Sequence, residues 1–234
     1  MADKTKIQWT EATWNPVIGC QRVSEGCRHC YAEVQAKRIA LMHQNSAYSG
    51  VLRHDDTGFP LPMWNGMAVT MPDRLDQPLR WARPRLIFVN SMSDLFHHDV
   101  PFEYIAAVFG VMAAAPRHTF QVLTKRPQRA LEFFKWLDYQ AAELMWAIGE
   151  NPPSGSPNPS ACAYFVGSAY TPERDMLDAL TKPGFRAAMA APWPLPNVWL
   201  GVSVEDQATA DERVPLLLEC PAAVRWVSYE PALG

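Results

Sequence analysis

Two hydrophobic patterns alternate along this chain. Continuous apolar runs such as Leu86–Val89 are typical of strands buried on both faces. Runs of this style predict five strands, at residues 14–19, 86–89, 119–123, 197–206 and 223–231. Longer segments with good helix formers, several bounded by proline or glycine, lie between these strands. They predict helices at residues 31–44, 100–116, 127–149 and 206–220.

The alternation of strands and helices predicts an α/β fold. Strands joined through helices form a parallel sheet with right-handed crossovers. Up to five such repeats indicate a single domain over residues 1–234, a partial (β/α) barrel that stops after about five strands. Two segments depart from the pattern. Residues 45–84 are irregular, and the Pro-rich residues 150–196 are interpreted as an insertion with a short helix at 172–181.

The composition is that of an ordinary globular protein. Of the 234 residues, 48% are hydrophobic and 19% are charged, and the formal net charge is −3. This balance does not indicate a broadly basic surface for nucleic acid. The N-terminus has no signal-peptide pattern, and no segment approaches the roughly 18 consecutive apolar residues of a membrane span. The sequence therefore predicts a cytoplasmic protein with no membrane partner.

The strongest chemical signal is a group of three cysteines, Cys20, Cys27 and Cys30, directly before a predicted helix. In a reducing compartment, clustered cysteines are more often metal ligands or catalytic groups than disulfides, and the odd total of five cysteines fits that interpretation. A structural zinc site needs a fourth protein ligand. The candidates for it are His29, His43, Cys162 and Cys220.

An iron–sulfur cluster is the other interpretation of these cysteines. Four-iron clusters usually take four cysteines, so a cluster held by three leaves one iron open to a small molecule. Gly19 and Gly26 each precede a cysteine and would let the backbone turn tightly around a cluster. The residues alone leave both the zinc and the iron–sulfur interpretations open.

Polar side chains follow each predicted strand. In (β/α) barrels the active site lies at the carboxyl ends of the strands, so these groups are expected to meet at one rim. The alternative is that they are ordinary loop residues. After the second to the fifth strand they are Asn90, Ser91, Ser93 and Asp94; Thr124, Lys125 and Arg126; Ser203, Glu205 and Asp206; and Ser228, Tyr229 and Glu230.

The stretch "NPVIGCQRVSEGCRHCYAEVQAKRI" resembles the opening of a phage-associated family with a three-cysteine motif, known as a phage protein or domain of unknown function. The resemblance continues through "PDRLDQPLRWARPRLIFVNSMSDLFHHDVP", "FQVLTKRPQRA", "VWLGVSVED" and "RWVSYEPALG". It covers most of the chain outside residues 140–196. The family in turn is similar to radical S-adenosylmethionine (SAM) enzymes, distantly including spore photoproduct lyase.

The resemblance implies a cofactor set. In radical SAM enzymes three cysteines hold a [4Fe-4S] cluster whose open iron chelates the amino and carboxylate groups of SAM. Reductive cleavage of SAM then gives methionine and a 5′-deoxyadenosyl radical. Here six residues separate the first two cysteines, where the commonest spacing in that superfamily is three. His29 holds the usually aromatic position before the last cysteine and is expected against the adenine ring.

The resemblance also implies roles for the polar groups at the strand ends. Ser91, Ser93 and Asp94 would meet the amino group of SAM, and Lys125 or Arg126 would pair with its carboxylate. Ser203 and Glu205 would bind the ribose hydroxyls. Glu230 would face SAM or the substrate.

Together these inferences predict a radical-SAM-like iron–sulfur enzyme of phage or prophage origin. Its substrate is unknown, with a nucleic-acid base or nucleotide preferred, and an external electron donor is required. The alternatives are a non-enzymatic zinc- or iron–sulfur-binding adaptor, and a fragment that is no longer active. The family pattern continues with a further strand and helix region. The edge of the last strand is therefore expected to be covered by a partner chain, a second copy or the Pro-rich insertion.

Overall fold

The structure is a computed structural model that describes residue 5 and residues 7–43, 46–147 and 191–233. Most of the predicted Pro-rich insertion, its helix at 172–181 and Cys162 lie outside these residues. The strands are β1 (Ala12–Trp14), β2 (Val17–Ile18), β3 (Leu52–His54), β4 (Pro60–Trp64), β5 (Val69–Thr70), β6 (Leu86–Val89), β7 (Thr119–Thr124), β8 (Val198–Val204) and β9 (Val224–Tyr229). The α-helices are α1 (Tyr31–Met42), α2 (Phe102–Ala114), α3 (Pro127–Ala147) and α4 (Gln207–Glu219).

Five strands form one parallel sheet in the order β1-β6-β7-β8-β9. Each pair is in parallel register; Ile87 lies opposite Phe120, and Phe120 lies opposite Val198. Because every crossover steps in the same direction and right-handed crossovers are the rule, the connecting helices collect on one face of the sheet. The prediction of an α/β fold with a parallel sheet is confirmed.

The first predicted strand was wrong in its position. The sheet strand β1 ends at Trp14, before most of the predicted segment 14–19. Val17 and Ile18 instead form a separate antiparallel pair with Thr70 and Val69. This partner belongs to the segment 45–84, which also contains the antiparallel pair of β3 and β4 and several 3₁₀ turns. Pairing between strands this far apart in the sequence depends on the tertiary fold, so a local hydrophobic pattern does not predict it.

The main core lies between the sheet and helices α2 and α3. Helix α2 is buried on nearly all sides, which explains its almost continuous apolar sequence. On α3, the fully buried Phe133 contacts the rings of Phe102, Phe109 and Phe134, with centroids 5.1–5.8 Å apart. These aromatic contacts fix the helices against the back of the sheet.

The opposite face of the sheet carries a different set of side chains. Trp9 lies across this face, with its ring 4.6 Å from Phe88 and 5.2 Å from Trp226. Trp226 in turn covers Gly201, where a Cβ atom would lie 2.6 Å from the indole ring. Position 201 therefore requires glycine. The rings of Trp9, Phe88 and Trp226 together cover part of this face of the sheet.

Strand β9 is an outer strand of the sheet in the described part of the chain, since it pairs with β8 alone there. Its side chains Val224 and Val227 are exposed by 38% and 48%. In the described residues, no helix has the length and apolar character needed to cross a membrane.

The aromatic core on α3 predicts a large and position-specific loss of stability. Phe133→Ala should lower the free energy of unfolding by about 3–5 kcal/mol, because it removes a fully buried ring. Tyr139→Ala on the same helix is the matched control, because Tyr139 is 61% exposed and should change stability by less than about 0.5 kcal/mol. Urea unfolding measures both, and equal losses would contradict the described core.

Candidate functional site

The cysteine loop, residues 19–30, starts at a tight backbone turn. Gly19 has a φ of +83°, and a Cβ atom there would lie 2.4 Å from the carbonyl oxygen of Met67. The amide of Gly19 donates to the carbonyl of Met92, which attaches the loop to the segment after β6. Cys20 follows directly, so glycine at this position determines where the first thiol lies.

The other two cysteines lie at the start of helix α1. Cys27 is in a 3₁₀ turn, Glu25–His29, and Cys30 is the N-cap residue of α1. Helix α1 packs with β3 and β4 in a second hydrophobic cluster, and the side chains of Cys20 and Cys30 lie against this cluster. Packing against this cluster thus fixes the positions of Cys20 and Cys30.

The three cysteines line a cavity of about 630 Å³ at the carboxyl ends of the sheet strands. This volume is in the range of sites that enclose a cofactor-sized molecule. Of the other residues predicted to contact a cofactor, those lining the same cavity are His29, Ser91, Ser93, Asp94, Lys125, Ser203 and Glu230. Arg126 and Glu205 do not belong to the lining.

The three thiols differ in their proton affinity. Burial, reinforced by the nearby Asp94 carboxylate, raises the pKa of Cys20 to about 12. Burial also raises the pKa of Cys30. Burial also acts to raise the pKa of Cys27. Hydrogen bonds with the backbone of Val23 and with Ser24, together with the charge of Lys125, outweigh this effect, so the pKa of Cys27 is lowered overall. Cys27 is therefore the thiol that deprotonates most easily.

The spacing of the thiols does not match a single zinc ion. Four sulfur ligands at 2.3 Å around one tetrahedral zinc lie about 3.8 Å from one another. Among the described residues, His97, His98 and Asp99 are the group whose ligand atoms lie within 4.8 Å of one another, and the three cysteines do not form such a group. The thiols are still close enough for the charges of Cys27 and Cys30 to raise the pKa of Cys20, and for that of Cys27 to raise the pKa of Cys30.

Nor do the described residues supply a fourth ligand. The predicted candidates His29 and His43 form no such group with the cysteines. Cys220 lies at the end of α4, is fully buried in the main core and donates to the carbonyl of Leu216. It therefore behaves as a small core residue.

The cluster of His97, His98 and Asp99 is held by its own hydrogen bonds. Nδ1 of His97 accepts the amide N–H of Asp99 at 3.2 Å, and the Asp99 carboxylate accepts the amide of Ala68 at 3.0 Å. Burial lowers the pKa of His97 to about 4, so this side chain is neutral at physiological pH. These contacts hold the loop before α2 in place.

Asp94 connects the ends of two neighbouring strands. Its carboxylate accepts hydrogen bonds from the Thr124 hydroxyl, the Lys125 amide and the Phe96 amide at 2.8–3.0 Å. The hydroxyl of Ser93 donates to the carbonyl of Val17. Both side chains line the cavity, but their polar atoms already hold the loop after β6 in place.

Glu205 is the centre of a buried ionic network. It is 1% exposed, and its carboxylate pairs with Lys125 and with Arg213, the latter at 3.3 Å. The hydroxyl of Ser24 donates to the same carboxylate at 2.9 Å and lies 3.6 Å from the sulfur of Cys27. Glu205 thus connects β8 and the end of β7 to the cysteine loop.

Gly26 packs directly against this network. A Cβ atom at Gly26 would lie 2.5 Å from Cγ of Glu205 and 2.9 Å from Cδ of Pro231. The loop that carries Cys27 can therefore approach the strand ends only because residue 26 has no side chain.

Sequence reasoning missed Arg213 and Ser24. Arg213 lies on α4, where it and Leu217 are buried four residues apart on one helix face. A cation at the apolar spacing of a helix indicates a buried ion pair, and this signal was available in the sequence. Ser24 carries no such signal, because its role depends on the loop conformation.

The remaining predicted residues make contacts around the rim. Arg126 donates to the carbonyl of Gln21 at 3.1 Å, and its side chain lies 4.0 Å from Asp94. The hydroxyl of Ser203 donates to the carbonyl of Glu230 at 3.1 Å. These bonds join the cysteine loop and the end of β9 to the same edge of the sheet.

Fold and site together define an α/β protein with a sequentially ordered parallel sheet and a three-thiol cavity at its carboxyl edge. The chain belongs to the family described as protein of unknown function (DUF5131), whose model matches residues 4–234. This confirms the resemblance to a family of unknown function. The comparison with curated proteins finds no match. The comparison with solved structures finds none either.

The ionic network predicts that Glu205 is essential for stability. Glu205→Ala leaves the buried Arg213 and the partly buried Lys125 without their carboxylate and should cost about 3–5 kcal/mol of unfolding free energy. Lys125→Met is the control, because it leaves Glu205 paired with Arg213 and should cost on the order of 1 kcal/mol. Chemical denaturation compares the two, and a neutral effect of Glu205→Ala would refute the described network.

Proposed function

We propose that this chain is a radical-SAM-like iron–sulfur enzyme of phage or prophage origin. The observation that carries the proposal is the placement of three thiols around a cavity of about 630 Å³ at the carboxyl ends of a parallel sheet. When bound, a [4Fe-4S] cluster supplies the electron that cleaves a carbon–sulfur bond of SAM into methionine and a 5′-deoxyadenosyl radical.

The thiols of Cys20, Cys27 and Cys30 fit a cluster better than a single ion. Each cysteine binds a different iron atom of a four-iron cluster, so the sulfur atoms lie farther apart than around one zinc. Among the described residues, the three thiols do not form a group within 4.8 Å of one another, which favours a cluster over one zinc ion. Three thiols also leave one iron free for a small molecule, and the cavity provides the volume for it.

The sheet supports the same proposal. Its strands follow chain order and are all parallel, which is the arrangement of a (β/α) barrel rather than of a doubly wound sheet. In a partial barrel of this kind, the face opposite the helices is the inner wall. The cavity lies on that side, next to Phe88 and Leu123.

The chain's own residues would hold the cofactors. His29 lines the cavity and is assigned to the adenine ring, and Glu230 is assigned to SAM or the substrate. Lys125 is paired with Glu205, so its proposed role includes stabilising the thiolate of Cys27 as well as attracting the SAM carboxylate. Of the ribose ligands, Ser203 lines the cavity, whereas Glu205 acts through Lys125 and the cysteine loop.

The substrate is proposed to be a nucleic-acid base or a nucleotide. The aromatic groups Trp9 and Phe88 in the cavity wall suit a flat ring, because bases stack on aromatic faces without regard to sequence. The enzyme would need an external electron donor, and the outer strand β9 is the proposed contact for a partner chain or a second copy. The proposed compartment is the cytoplasm, where clustered thiols stay reduced.

Anaerobic reconstitution with iron and sulfide tests this proposal directly. The reduced protein is expected to show an EPR signal of a four-iron cluster that changes when SAM is added. Alanine variants of Cys20, Cys27 and Cys30 should each lose the signal. Cys220→Ala, which removes a thiol outside the loop, should keep it. Stoichiometric zinc in place of a cluster would instead support the non-enzymatic adaptor.

The approach of the loop to the strand ends predicts a second effect on the cluster. Gly26→Ala should lower the iron content after reconstitution, because the added Cβ forces the Cys27 turn away from Glu205. Gly50→Ala is the matched control, because no atom lies within 4 Å of its Cβ position. Iron and sulfide analysis measures both variants. Equal iron content in the two proteins would contradict this role of Gly26.

A further inference from the structure

Asn90 has an unusual backbone at the wall of the cavity. It follows β6 and has a φ of +61°, in the left-handed region that few non-glycine residues adopt, asparagine more often than most. Its backbone is fixed on both sides, since its amide donates to the carbonyl of Trp14 at 2.8 Å and its carbonyl accepts the amide of Ser93. Strained backbone of this kind is concentrated at binding and active sites.

The side chain of Asn90 contributes nothing to these bonds. The residue is 2% exposed, yet neither its Oδ1 nor its Nδ2 has a hydrogen-bond partner. A buried amide without partners is costly, and such groups in proteins are rare enough to require an explanation. Because Asn90 lines the cavity beside Phe88 and Ser91, a molecule seated in the cavity is the available source of partners.

A second space beside the cavity is also lined by buried polar atoms without hydrogen-bond partners. This space of about 400 Å³ shares Trp9, Ser228 and Glu230 with the first. Two further buried atoms without partners belong to its lining, Oε1 of Gln121 and Nε1 of Trp226. Aromatic faces combined with amide and indole hydrogen-bonding groups are the features that bind a planar ring with polar edges.

We propose that Asn90 is the hydrogen-bonding anchor of a subsite for a planar heteroaromatic ring whose edge presents a donor next to an acceptor. An asparagine amide pairs with such an edge through two bonds, as it does with adenine. Trp9 and Phe88 provide the stacking faces. The ring is either the adenine of SAM or a base of the substrate. The inference rests on the proposed function only in naming SAM as one of these two sources.

Binding of nucleosides to the full chain, with and without a reconstituted cluster, tests the subsite. The probes are adenosine, cytidine, guanosine and thymidine, together with purine riboside, which lacks the amino donor of adenosine. Asn90→Gly removes the amide and suits the left-handed backbone, so the variant should fold with a stability close to that of the wild type. It should bind the preferred nucleoside about 10- to 100-fold more weakly.

A second variant separates hydrogen bonding from the space that the side chain fills. Asn90→Asp keeps the size and the tolerance for this backbone but loses the donor, so it should weaken binding as well. If adenosine is the preferred probe, purine riboside should bind the wild type more weakly than adenosine does, and the two should bind Asn90→Gly alike. Unchanged affinity in Asn90→Gly, or no nucleoside binding to the wild type, overturns the subsite.

The arms of the experiment also distinguish the two sources. If the ring is the adenine of SAM, then SAM displaces the nucleoside, and Asn90→Gly weakens SAM binding by the same factor. If it is a substrate base, then SAM and the nucleoside bind together, and the affinity for SAM is unchanged in the variant. Asn90-dependent nucleoside binding in a protein that forms no cluster would keep the subsite and reject the proposed function. A SAM-responsive cluster with unchanged nucleoside binding in Asn90→Gly would keep the proposed function and reject the subsite.

Discussion

The buried carboxylate of Glu205 is the interaction on which the candidate site depends. It connects three parts of the chain that are distant in sequence: the cysteine loop through Ser24, the end of β7 through Lys125, and helix α4 through Arg213. The negative charge of a deprotonated Cys27 favours the charged forms of Lys125 and Arg213, and Lys125 in turn lowers the pKa of that thiol. The ion pairs and the thiolate therefore stabilise one another.

The same edge of the sheet is organised by hydrogen bonds of a second carboxylate. Asp94 fixes the ends of β6 and β7 relative to each other through Thr124 and the amide of Lys125. With Glu205 acting between β7 and β8, the carboxyl edge of the sheet is held by two buried acids in succession. These bonds form the rim around the cavity within the protein itself, and a preformed rim lowers the entropy cost of binding.

Much of the site could be predicted because a parallel sheet brings the carboxyl ends of its strands to one edge. Ser91, Lys125, Ser203 and Glu230 were found in this way, although they are far apart in the sequence. The pattern did not reveal which polar atoms were already bonded within the protein. Asp94 was therefore assigned to a ligand that its carboxylate has little capacity left to bind, while the unpartnered amide of Asn90 received no role.

The contact between Ser24 and Glu205 has a consequence for how the site is made in the cell. The two residues are separated by 181 positions, so the cysteine loop emerges from the ribosome long before its partner. Domains begin to fold from the N-terminal side during synthesis, and here that side contains all three thiols without the groups that enclose them. During translation the thiols are thus open to oxidants and to stray metal ions. The thiols are enclosed only after residues 205–231 have been synthesised.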